Sequence, residues 1–181
     1  EESSRRQREL ELVLLEAMLR QPYERITLTE LCQKAQIPRK TFYRYFPTKD
    51  DCLLALMDHT LTDCNDIALQ GWEGTGYLDH STQLRFFRFW LQRRKFLDAI
   101  RDNGLRYLLL DRTTVIVDKM EESSRTENFA PEQVKYFIAH GLMATVLRWH
   151  HFGFPESPEK MAEVFGPILQ STEIALDRLL L

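Results

Sequence analysis

Between Pro22 and Pro47 the chain has room for two short helices and one tight turn, and for little else. Thr27-Leu28-Thr29-Glu30 spells a capping box: the Thr27 hydroxyl accepts from the amide three residues on, and the Glu30 carboxylate reaches back to the cap. Pro38 suits the first turn of the next helix, where its missing N–H would have no partner, and Pro47 ends that helix. The expected pair is therefore helix 27–34 and helix 38–45. On the second, Phe42 and Phe46 are four apart and share a face with Ile37. That face is expected to pack on Leu28, Leu31 and the stripe Leu10, Val13, Leu14, Ala17 and Met18 of a preceding helix. The other side presents Arg39, Lys40, Thr41, Tyr43 and Arg44.

The remaining sequence keeps the same period. Thr48 with Asp50 and Asp51 starts a helix to about residue 66, followed by helices near 79–92, 94–102, 105–122, 131–152 and 158–180. Asn103-Gly104 stops one of them, and Gly166-Pro167 is expected to kink or split the last. The β-branched run Thr113 to Val117 lies within a helical frame and is read as helix. All seven glycines follow residue 70, and Gly71 to Gly76 is the strongest loop signal. The fold class is all-α. A three-helix helix-turn-helix domain is expected over residues 1–50, and a larger helical domain over 51–181.

Charge locates the function. The whole chain carries -3, from 24 Lys plus Arg against 27 Asp plus Glu, which taken alone suggests no polyanionic partner. Yet residues 31–49 hold five basic residues and no acid. A basic run is commonly only a solvated helix face. On the second helix of a helix-turn-helix it has the composition for phosphate and base-edge contact, because that helix enters the major groove.

Other functions find no support. Cys32, Cys52 and Cys64 form no paired spacing; they are expected as buried thiols, with a redox role for Cys64 as the alternative. No HExxH, CxxC, GxSxG or Gly-rich phosphate loop occurs, and His150-His151 are adjacent, so they point to different faces and make no metal pair. No enzyme activity, cofactor or metal is expected. No apolar run approaches the roughly 20 residues of a membrane span, and Glu1 to Arg8 is charged, so the expected location is cytoplasmic, with no membrane partner.

The segment Ile26-Thr-Leu-Thr-Glu-Leu-Cys through Ile37-Pro-Arg-Lys-Thr-Phe-Tyr-Arg-Tyr-Phe-Pro-Thr-Lys-Asp-Asp resembles the DNA-binding domain of TetR-family transcriptional regulators. The likeness is detailed over residues 10–57. It implies a sequence-specific regulator, more often a repressor, acting as a homodimer on a palindromic double-stranded operator and responding to a small-molecule effector. By the same resemblance Arg39 and Lys40 take base-reading positions, and Thr41 meets a base methyl or a phosphate. Tyr43, Tyr45 and Lys49 match backbone-contacting positions, with Thr29 a further candidate; Tyr45 could instead be packed. One departure concerns the turn, where the family usually has Gly and this chain has Gln36. A left-handed backbone is expected there, at a cost on the order of 1 kcal/mol.

Residues 61–181 contain 15 of the 20 aromatics. Aromatics at helical spacing are most simply core. The functional alternative is an effector pocket, with Phe86, Trp90, Tyr107, Phe137 and His140 as its candidate lining. Two stripes, Val134 to Phe152 and Met161 to Leu179, could pair with a second copy as a four-helix interface, or pack only within the chain. The alternative to DNA binding is a co-regulator of the same fold that binds a partner protein.

Overall fold

The computed structural model describes residues 2–70, 79–123 and 132–179. They form α1 (Glu2–Met18), a 3₁₀ turn (Tyr23–Arg25), α2 (Leu28–Lys34), α3 (Arg39–Tyr45) and α4 (Lys49–Ala68). Next come α5 (His80–Gln92), α6 (Arg94–Asp102), α7 (Arg106–Ser123), α8 (Glu132–His151) and α9 (Pro158–Leu179). No strand occurs among the described residues, as the all-α reading requires.

Local chemistry sets most boundaries. The Thr27–Glu30 capping box is present. Thr48 and Asp51 repeat it at α4: the Asp51 amide donates to Thr48 Oγ1 at 3.1 Å, and the Thr48 amide donates to Asp51 Oδ2 at 2.9 Å. Asp79 caps α5 by accepting from the Thr82 amide at 2.6 Å, a bond that holds its carboxyl below the usual range. After α6, Gly104 adopts φ 68°, and the Leu105 amide returns to the Ile100 carbonyl at 2.9 Å. This is a Schellman stop. Of the kink or split expected at Gly166-Pro167, the split does not occur: α9 continues through Pro167 as one helix.

The chain forms two compact units. One comprises Glu1–Thr60 with Lys95–Arg112, the other Leu61–Arg94 with Thr113–Leu181. In the first, α1 packs on α2 and α2 on α3. Its core includes Leu10, Leu14, Leu31, Phe42, Phe46 and Met57, each at most 3% exposed. Glu11 is buried as well; its Oε1 lies 2.8 Å from Nδ1 of His59, so the buried carboxylate has a polar partner.

In the second unit α5 packs chiefly on α9 and also on α8. Phe87 meets Trp149 edge-on at 5.7 Å and Phe165 at a tilt at 5.8 Å, and Trp149 meets Phe154 edge-on at 4.6 Å. Aromatic edges and faces carry opposite partial charge, so these geometries add to plain area burial. Phe154 follows Gly153 with φ 62°, and the Arg94 guanidinium lies over its ring at 4.6 Å.

Candidate nucleic-acid interface

The interface begins with the turn after α2. Ala35 closes the helix, Gln36 takes φ 53°, and the chain reverses. The Ile37 amide donates to the Cys32 carbonyl at 3.0 Å and the Gln36 amide to Gln33 at 3.1 Å. That is the Schellman pattern with glutamine at the left-handed position, as expected from the sequence. α3 then starts after Pro38, which sits at the N-cap, one place ahead of the first turn expected for it.

Burial divides α3 in two. Phe42 is 0% and Phe46 3% exposed, their ring centroids 5.7 Å apart. Arg39, Lys40, Tyr43 and Arg44 are exposed, Tyr43 at 50%. Thr29, on α2, is exposed too. The core face locks the helix in place, and the polar face is free to meet a partner. Arg44 is braced: its Nη2 donates to the Tyr45 hydroxyl at 2.8 Å and its guanidinium lies 4.8 Å from that ring's centroid.

Thr41, Tyr45 and Lys49 are placed differently. Thr41 and Tyr45 are half-buried and line a cavity of about 180 Å³ with Arg6, Leu10 and Val13 of α1 and Ile37 of the turn. Lys49 is half-buried; its Nζ donates to the backbone carbonyls of Tyr23 and Ile26, both at 2.8 Å, and lies 4.0 Å from the Tyr23 ring centroid. The Tyr23 hydroxyl in turn donates to Asp50. Burial, followed by that bond and the carboxylate's charge, raises the Tyr23 pKa, so the phenol stays protonated.

Sequence reading passed over Tyr23 and saw Asn103 only as a helix stop. In the structure Asn103 Oδ1 accepts from the Tyr23 amide at 2.6 Å, and its Nδ2 donates to the carbonyls of Met18 at 3.3 Å and Ala99 at 2.8 Å. Only the Asn-Gly pair itself marked that position.

Of the five residues expected around an effector, Phe86, Trp90, Phe137 and His140 belong to the second unit and Tyr107 to the first. Phe86 and Trp90 touch edge-on at 6.4 Å, Trp90 fully buried. His140 sits between Thr114 Oγ1 at 3.1 Å and the Tyr136 carbonyl at 2.9 Å. Phe137 is 73% exposed and Tyr107 86%. All three cysteines are buried and free; burial raises each thiol's pKa, that of Cys52 to about 12. Among the described residues no group of His, Cys, Asp or Glu could hold a metal ion, and no helix is long and apolar enough to cross a membrane.

Comparison with known proteins gives a consistent picture. Residues 14–56 match the family described as bacterial regulatory proteins, tetR family. No curated protein sequence matches. Among solved structures the chain is similar to the dihydroxyacetone kinase operon activator DhaS, at 19% identity and TM-score 0.60, covering 92% of this chain and 95% of that one. It is similar also to the TetR family repressor AlkX from Dietzia sp. strain DQ12-45-1b, at 15% identity and TM-score 0.58, covering 91% and 95%. The fatty acid degradation regulator FadR from Bacillus halodurans follows at 12% identity and TM-score 0.59, covering 90% and 93%. At these identities the likeness is one of fold.

Proposed function

We propose, from the match of residues 14–56 to the tetR family of bacterial regulatory proteins, that this chain is a sequence-specific, DNA-binding transcriptional regulator acting as a homodimer. The observation that carries the reading is the division of α3, with Phe42 and Phe46 in the core and Arg39, Lys40, Tyr43 and Arg44 exposed in a stretch without acids. Arg39 and Lys40 read base edges, since an arginine can bind guanine O6 and N7 with two parallel hydrogen bonds. Tyr43 and Thr29 meet phosphates through their hydroxyls, while Thr41 and Tyr45 contribute from the edge of the cavity against α1.

The dimer reading rests on the second unit. Phe137, Phe152, Val164 and Ile168 on and just beyond α8 and on α9 are 47–73% exposed, apolar side chains that a second copy would cover. Two copies joined there would present two α3 helices to major grooves about 34–36 Å apart, hence a palindromic operator. Effector control, more often of a repressor, follows from the family premise. A ligand that binds better to a conformation with mismatched α3 spacing lowers DNA affinity by population shift.

The test is salt-dependent binding to a duplex from the chain's own promoter. Wild type binds with a steep salt slope, and Arg39→Ala weakens it by about 1–3 kcal/mol and relaxes specificity at one base position. Absence of binding down to low salt would overturn the reading in favour of a partner-protein co-regulator.

A further inference from the structure

The 3₁₀ turn Tyr23–Arg25 joins α1 to the cap of α2, so its position sets where the helix-turn-helix begins. Side chains from two distant parts of the first unit hold it. At the start of α4, the Lys49 ammonium donates to the Tyr23 and Ile26 carbonyls at 2.8 Å each and lies against the Tyr23 ring. After α6, Asn103 takes the Tyr23 amide at 2.6 Å and donates to Met18 at the end of α1. Ile26, whose carbonyl Lys49 grips, is 2% exposed and directly precedes the Thr27 cap.

An ammonium has three N–H donors, and two of these are used inside the fold. A phosphate contact would have to compete with two short charge-assisted bonds and the ring face. Lys49 also lies outside the polar face that α3 exposes.

We infer that Lys49 is a positioning residue for DNA binding: with Asn103 it clamps the turn before α2 and so fixes the attitude of the helix-turn-helix, and it does not itself contact phosphate. This rests on the DNA-binding reading above. The clamp brings α4 and the end of α6 together on one three-residue segment. A displacement of either reaches α2 through a turn whose carbonyls and amide are already engaged.

The experiment measures binding of the full chain to its promoter duplex as a function of salt, well below the melting temperature of every variant. Lys49→Met keeps the stem over the Tyr23 ring and removes all three donors; Asn103→Ala loosens the same turn from the other side, and Arg39→Met serves as the base-contacting comparison. The expected result is that Lys49→Met and Asn103→Ala both weaken binding about tenfold at every salt concentration with the slope unchanged. Arg39→Met relaxes specificity at one base position, which neither clamp variant does. A slope reduced by about 1 in Lys49→Met would make it a phosphate ligand and overturn the inference. Unchanged affinity in both clamp variants, with only their melting temperatures lowered, would reduce the clamp to a stabilising contact and overturn it too. Should Lys49→Met fail to fold, Asn103→Ala decides alone. If wild type itself binds no DNA, the functional reading falls first and this inference with it.

Discussion

The guanidinium of Arg112 meets the carboxylate of Asp58 through two hydrogen bonds, Nε to Oδ1 at 2.7 Å and Nη2 to Oδ2 at 2.6 Å. Both side chains are less than 20% exposed, and the pairing raises the arginine's pKa. It ties α4 to α7 within the first unit. Because the fork is planar, lysine cannot reproduce it. Asp58→Ala is expected to cost about 2 kcal/mol in chemical denaturation, and Arg112→Lys to recover less than half of the pair's contribution. Equal stability of Arg112→Lys and wild type would show that the second bond contributes nothing.

Gln36 holds a left-handed backbone that Gly104 adopts at the equivalent point after α6. Gln36→Gly relieves Cβ crowding, partly offset by the freer unfolded chain, and should raise stability by up to about 1 kcal/mol. Calorimetry checks this, with Gln36→Val as the opposite control, destabilised by its β-branch. A melting temperature that is unchanged or lower in Gln36→Gly would count against strain at this turn.

The Glu30 carboxyl is held below its ordinary value of 4.5, first by the Thr27 amide and then by the Thr27 hydroxyl. A depressed carboxyl adds stability above its unfolded value and loses it as pH falls through the native one. Acid unfolding of the helix-turn-helix should therefore be less steep below about pH 4.5 in Glu30→Gln, with little difference in shape between the two proteins near neutrality. Identical acid limbs would remove the capping box from the account.

Burial leaves the three thiols almost entirely protonated at pH 8. Iodoacetamide should leave Cys32, Cys52 and Cys64 unmodified in the native protein over a period that fully alkylates the guanidinium-unfolded chain, as mass spectrometry would report. Fast labelling of Cys64 alone would instead support a redox-sensing role there.

Ile168 is 56% exposed on α9. Ile168→Glu places a charge on the proposed interface, where desolvation without a partner is costly. Sedimentation at micromolar concentration should show wild type as a dimer and the variant shifted toward monomer, with helix content retained. A wild-type monomer would sink the dimer reading.

The local architecture of this protein was legible because its signals act over three or four residues. Thr27–Glu30, Thr48–Asp51 and Asn103-Gly104 each satisfy helix-end amides or carbonyls from within their own turn, so the sequence determined where α2, α4 and α6 start or stop. The amphipathic split of α3 was equally plain from Phe42 and Phe46, and with it the face that carries Arg39 and Lys40. Pro167 does not end α9, because proline's missing donor weakens a helix locally without obliging a long helix to stop.

Only the tertiary structure decided what the half-buried polar groups do. Lys49 looks in the sequence like one more cation in a basic run, yet carbonyls 23 and 26 residues away accept its hydrogen bonds. Asn103 reads as a helix stop, yet its side chain reaches the Tyr23 amide across 80 residues of chain. Tyr107 and Phe137 read in the sequence as readily as core as pocket lining, and in the single chain they are 86% and 73% exposed. A polar or aromatic residue has no intrinsic preference strong enough to choose among solvent, core and a distant backbone group. That choice depends on which carbonyls packing brings within 3 Å, and no window of neighbouring residues contains it.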